Sequence, residues 1–341
     1  MTRILFVLLA TLGLSGCASS SKTEVPEIQR PSVATLMQQG QQAEKLKQYE
    51  MALKNYIEAL EQQPQSADIL YRIGEVQSQL GNTGYALKAL QDALTTEPDH
   101  INAMTSLALI NLTLGDNEQA KRYLTKALDL DQQRLAQLNQ TVIVGEKPEL
   151  QTLDADSPLP GYNAMGILND LDGNYEAARQ YYELVLQQQP GNAPALTNLG
   201  YSYYLDGNLK QAEIKLRLAT QKQPDFKRAW HNLGLLYVRM NHYKRALVAL
   251  KRVMPEPDAL NDLGYFAMLE GRYAQAKELF LKAIDSSPTY FAKAQDNLEK
   301  LQELQGKLAT ASSHQSVLSF PSKEAQIKAE MLRAAPLSSA Q

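Results

Sequence analysis

The chain has 341 residues, 44% of them hydrophobic and 21% charged, with a formal net charge of −3. That balance gives no basic footprint for nucleic acid, and the length suits one large or two modest domains. A single cysteine, Cys17, excludes an internal disulfide and a cysteine-rich zinc site. The first element is the apolar run Ile4–Leu14 behind Arg3. As a helix it would reach roughly 16 Å, short of a hydrocarbon layer of about 30 Å. A cationic start, a short apolar stretch and small residues at its end read as a secretory signal over residues 1–16.

The end of that signal narrows the reading. Leu14-Ser15-Gly16-Cys17 resembles the lipobox of bacterial lipoproteins. The resemblance implies that Cys17 takes lipid on its sulfur, that the signal is cut before it and that the new N-terminus is acylated. Ala18, rather than Asp, implies sorting to the outer membrane, facing the periplasm. Each buried methylene contributes about 0.8 kcal/mol and one chain holds only reversibly, so several chains give lasting attachment. Residues 17–32 are otherwise polar and without apolar period, which predicts a flexible tether between Cys17 and the folded part.

Beyond the tether the chain repeats. Ala52, Ala86 and Ala120 lie 34 residues apart, as do Ala59, Ala93 and Ala127. The spacing returns in Ala178, Ala212 and Ala246, and in Gly166, Gly200 and Gly234, with prolines closing units at Pro64, Pro98, Pro190, Pro224 and Pro288. The unit around "WHNLGLLY" sets Trp230, Leu233, Gly234 and Tyr237 at fixed offsets, followed by Ala246 and Leu250. This pattern resembles the tetratricopeptide repeat. It implies an all-α solenoid of about seven helix–turn–helix repeats with a C-terminal capping helix. Gly and Ala remove bulk where the helices of a unit cross, Leu and Tyr fill the space around them, and Gly-Asn turns end the first helix.

Two irregularities divide the array. Ala120 and Ala178 are 58 apart, which places 24 additional residues between the third and fourth units. Ala246 and Ala276 are only 30 apart, which predicts a truncated second helix in unit six. The resulting plan is repeats 1–3 over 33–132, an insertion or hinge over 133–158 that begins as an extended helix, and repeats 4–7 over 159–288. A capping helix over 289–308 and a Ser/Ala-rich tail over 309–341 complete it, the tail expected to be disordered apart from a short helix in "SKEAQIKAEMLRAA".

No enzyme motif is present. The four histidines never pair at metal-binding spacing, and no HExxH, GxSxG or P-loop occurs. Asp170 and Asp172 lack the glycine placement of a calcium loop, and Asp154 and Asp156 are expected in a solvated loop. No metal, cofactor or catalytic role is expected. What remains is a surface: in tetratricopeptide arrays the first helices line a concave groove that holds partners. By that resemblance the groove-facing residues are Asn198, Tyr201, Tyr204, Arg228, His231, Asn232, Leu235, Val238, Asn261, Tyr265 and Met268. The amides of Asn198 and Asn232 are expected to grip peptide groups, the tyrosines to offer stacking area, and Arg228 and Arg239 to select carboxylates.

A lipobox, a short tether, repeats throughout and a Ser-rich tail resemble the tetratricopeptide lipoproteins of tight-adherence (Flp) pilus assembly, the TadD family. That resemblance implies a lipid-anchored periplasmic scaffold assisting the assembly or localisation of an outer-membrane secretin, as pilotins do. Two alternatives stay open: an adaptor for peptidoglycan synthases or hydrolases, with a possible homodimer, and a pilotin of ordinary type IV pili. Each alternative is again a binding role.

Overall fold

A computed structural model describes residues 30–139 and 150–313. The signal, Cys17, most of the tether, residues 140–149 of the insertion and the tail beyond 313 lie outside the described residues. Within them the chain is all helix, fifteen in number and with no strand. The helices pair in chain order: α1 (Val33–Lys45) with α2 (Tyr49–Gln62), α3 (Ala67–Gln79) with α4 (Thr83–Thr96), and α5 (Ile101–Leu114) with α6 (Asn117–Leu138). After the insertion come α7 (Leu159–Leu171) with α8 (Tyr175–Gln188), α9 (Ala193–Leu205) with α10 (Leu209–Lys222), and α11 (Lys227–Arg239) with α12 (Tyr243–Leu250). Last are α13 (Glu256–Leu269) with α14 (Tyr273–Ser286) and the unpaired α15 (Ala292–Ser313).

Local chemistry sets these boundaries. Side chains of Ser32, Ser66, Asp116, Asn192 and Asn208 accept from backbone N–H groups three residues on, a cap worth about 1 kcal/mol each. Between the helices of a pair the chain passes through the left-handed region. Gly81, Gly115, Gly173, Gly207 and Gly271 fill that position in five pairs, and Lys47 and Asn241 fill it in the first and sixth.

Pairing is tight because the crossing point has no side chain. A Cβ added to Gly166 would lie 2.4 Å from the Tyr182 ring, and one on Gly200 would lie 2.7 Å from Leu216. The alanines of the period, among them Ala52, Ala86, Ala178, Ala212 and Ala246, are fully buried at the same crossings. From α3 onward each first helix also touches the first helix of the next unit, α3 against α5, α5 against α7, α7 against α9, α9 against α11, and α11 against α13. The second helices are bridged by the following first helix. Two layers result, with the first helices inside and the second helices outside.

The irregularities take the predicted form, with one correction. The short unit six indeed has a second helix of 8 residues, and the extended α6 has 22. The final helix runs past the predicted limit at 308 to Ser313, because Ala309 and Ala311 extend a helix already nucleated at little cost. Asp154 keeps the solvent exposure expected of its loop and is ion-paired as well. Arg134 on α6 holds it with Nη1 2.7 Å from Oδ2 and Nη2 2.7 Å from Oδ1. Nη2 of Arg134 also donates to the fully buried Asp131, at 2.6 Å. Asp131 in turn accepts from the Tyr162 hydroxyl at 2.9 Å, and Gln132 binds that hydroxyl at 2.7 Å and the Gln151 N–H at 2.6 Å. The returning end of the insertion is therefore strapped to α6 and to the first helix of unit four.

Candidate functional site

The inner layer defines the candidate site. At 100° per residue, positions i, i+3, i+4, i+7 and i+11 share one helical face. On α11 these are Arg228, His231, Asn232, Leu235 and Arg239. Asn198, Tyr201 and Tyr204 are the counterparts on α9, as Asn261, Tyr265 and Met268 are on α13.

These residues are not equally available. Asn198, Tyr201, Tyr204, Leu235, Val238 and Asn261 are buried, while Arg228, His231, Asn232, Tyr265, Met268 and Arg239 are partly exposed. The expectation of an open amide at Asn198 is corrected, because its Nδ2 donates to Asn163 of the preceding first helix at 2.9 Å. Asn261 is likewise engaged: its Oδ1 accepts from Asn297 on α15 at 2.9 Å, and its Nδ2 donates to Asp262 at 3.1 Å. Tyr201 stacks on Tyr204, with ring centroids 5.4 Å apart. The Tyr204 hydroxyl donates to Glu270 at 3.3 Å. Arg239 donates to the Tyr204 carbonyl at 2.7 Å and lies over its ring, so it is not a free carboxylate selector. The physical reason is common to all: first helices of adjacent repeats pack against each other, so polar groups at the contact must pair across repeats.

His231 bonds Asp262 at 3.1 Å, and Lys293 on α15 bonds the same carboxylate at 3.0 Å. His231 and Lys293 hold the Asp262 carboxyl below its ordinary value against the opposing effect of burial. Arg228 is different. It lies in the first turn of α11, over the Phe226 ring at 5.4 Å, and its Nε is shut off from solvent without any acceptor. Burial pushes its guanidinium down to about 10.

Three further polar residues of the first helices are shaped by packing, and only Asp170 among them is singled out by the sequence. Asp170 on α7 accepts from Tyr182 at 2.8 Å through Oδ2 and leaves Oδ1 without a donor. Burial raises its carboxyl to about 7. Glu75 on α3 is raised by burial too, opposed by a hydrogen bond from Ser106. Beside it Glu44, at the end of α1, pairs with Arg72 at 3.8 Å and accepts from the Tyr56 hydroxyl. Only the packing shows which of them are desolvated. Among the described residues no cluster of three potential metal ligands forms.

Sequence models of the tetratricopeptide repeat match residues 40–81, 67–100, 101–134, 171–234 and 231–291. The chain is a tetratricopeptide-repeat protein. Solved structures agree in fold. A tetratricopeptide repeat protein from Parabacteroides merdae is 16% identical with a TM-score of 0.51, over 79% of this chain and 98% of that one. The human IFIT1 dimer with m7Gppp-AAAA is 18% identical with a TM-score of 0.55, over 82% and 65%. The APC/C hetero-tetramer Cut9-Hcn1 gives 16% and 0.54, over 79% and 48%. No curated protein sequence matches the chain significantly. Tetratricopeptide solenoids generally serve as scaffolds for protein–protein interaction rather than as catalysts.

Proposed function

We propose that this chain is a lipid-anchored periplasmic scaffold that assists the assembly or localisation of an outer-membrane secretin for Flp (tight-adherence) pilus biogenesis. The observation that carries the scaffold role is the unbroken inner layer, in which first helices touch one another from unit three to unit seven across the insertion. It supplies one long concave surface with Arg228, His231, Asn232 and Tyr265 partly exposed along its C-terminal half. The lipobox at Cys17 and the tether supply the location: acyl chains in the outer membrane hold the array within tens of ångströms of a membrane-embedded partner. Partner segments lie along the concave face and the outer layer keeps its curvature.

Crosslinking in intact cells, purification through a C-terminal tag and mass spectrometry of the captured proteins test the proposal. A secretin and pilus-assembly proteins support it. Peptidoglycan synthases or hydrolases would move the same array into the service of the cell wall, and a type IV pilus secretin would make it a pilotin of that system.

A further inference from the structure

The outer layer changes character at unit five. Residues 159–206 hold five acids and one basic residue, whereas residues 207–252 hold eleven Lys or Arg and two acids, in a chain of formal net charge −3. The change is in register with the repeat. On its solvent side α8 presents Glu176, Gln180 and Glu183, all exposed. One period later α10 presents exposed Lys210, Ile214 and Arg217 at the same places. After a second period, α12 and its C-cap present exposed Lys244, Val248 and Lys251. Steps of four and three keep each trio on one helical face. The two cationic trios adjoin, because Glu213 on α10 accepts from Arg245 on α12 at 2.7 Å. Glu213 also pairs with Arg217 at 4.0 Å, so one of the two acids is shared between two cations and the patch stays positive.

An apolar residue stands at the centre of each cationic trio. Ile214 is 55% exposed and Val248 is 61% exposed. The same position of the period holds Lys54, Lys88 and Arg122 in units one to three, and Gln180 in unit four. A branched aliphatic side chain left in water between cations fits a surface that is anionic outside and apolar just beneath. A phospholipid bilayer has that profile, with phosphates above acyl chains. An acidic protein surface matches the charge but needs a separate pocket for each aliphatic tip.

We propose that the outward faces of α10 and α12 dock on an anionic phospholipid bilayer, their cations against lipid phosphates and Ile214 and Val248 in the interface. Thirteen residue steps separate Cys17 from Arg30, up to about 45 Å of extended chain, so a lipid on Cys17 sets neither the height nor the orientation of the array. The docked patch sets both, laying the outer layer of units five and six on the membrane and turning their inner layer away from it. The proposal goes beyond the scaffold reading and takes from it only the anchor.

The experiment places the photoreactive residue p-benzoylphenylalanine at Ile214, at Val248 or, as the control, at Gln180. The full chain is reconstituted with vesicles of phosphatidylethanolamine containing phosphatidylglycerol, or of phosphatidylcholine alone. After irradiation, lipid adducts are quantified by intact mass. In the anionic vesicles, positions 214 and 248 should give at least about fivefold more lipid adduct than position 180. That excess should vanish in phosphatidylcholine, at high salt and in the Lys210→Glu, Lys244→Glu double variant, whose circular dichroism should match the parent. Equal yields at the three positions, or an excess that persists in phosphatidylcholine, would overturn the proposal. The two comparisons of lipid and salt use an unaltered patch charge and stand even if the double variant fails to fold. Irradiation in intact cells should again give lipid adducts at 214 and 248; protein adducts in their place would make an acidic protein the occupant and overturn the proposal as well. Intact mass also reads whether Cys17 is acylated. A chain without acyl groups would remove the anchor from the scaffold reading, while the vesicle comparison still judges the patch.

Discussion

Replacing Gly166 by alanine probes the packing of the repeat directly. The new Cβ would stand 2.4, 2.7 and 2.9 Å from Cε1, Cζ and Cδ1 of Tyr182. An aromatic ring usually relieves such contacts by sliding, but this one is fully buried and its hydroxyl is tied to Asp170 at 2.8 Å. Alanine gains about 1 kcal/mol over glycine in a helix interior. Overpacking an anchored core costs about 1–3 kcal/mol and more where nothing can move. A net loss of about 1–2 kcal/mol is therefore expected. Gly84→Ala is the control: it sits in α4 with nothing within 4 Å of its Cβ. It should be neutral or stabilising by up to about 1 kcal/mol. Urea unfolding followed by circular dichroism at 222 nm measures both. Equal midpoints for the two variants would refute the claim that the bare crossing, rather than helix propensity, fixes glycine in the repeat.

Asp170→Asn addresses pH. The carboxyl is held at about 7 in the fold and titrates at its ordinary value near 4 when unfolded. The folded state thus binds the extra proton between those values, and stability falls as pH rises through that window, by about 2 kcal/mol from pH 5 to 7. The asparagine variant should lose this slope, and denaturation series at pH 5, 6 and 7 check it. Arg134→Met leaves the buried Asp131 without its cation and releases Asp154, at an expected cost of about 3 kcal/mol. Hydrogen exchange should then rise first in residues 150–157, and unchanged protection there would refute the strap. Cys17→Ala should shift the protein from the outer-membrane fraction to the soluble periplasm or leave it uncleaved, and unaltered fractionation would remove the lipid anchor.

Much of the fold was legible because its constraint is steric and repeats. A crossing that tolerates only Gly or Ala returns every 34 residues, so Gly166, Gly200 and Gly234 mark units without any knowledge of tertiary contacts. The spacing of 30 between Ala246 and Ala276 likewise announced the shortened α12. The candidate site was less legible, because its decisive bonds join different repeats. Asn198 meets Asn163 at a separation of 35, and Asn261 meets Asn297 at 36. An inward position is a property of one helix, whereas being open or spent depends on the residue one repeat away. Arg134 and Asp154 pair at a separation of 20, in a part of the sequence where no period exists to predict a meeting.

The strap at the insertion bears on how such an array changes over time. Because α5 and α6 both touch α7, unit three packs directly on unit four without help from the insertion. The extra chain leaves α6 at Leu138 and is received back by Arg134, only one turn from its departure. It is thus a graft with both ends sutured to one helix, and its length is free of the superhelical phase. Lineages can lengthen, shorten or exchange the segment between Asn139 and Leu150 and still keep the packing of unit three on unit four.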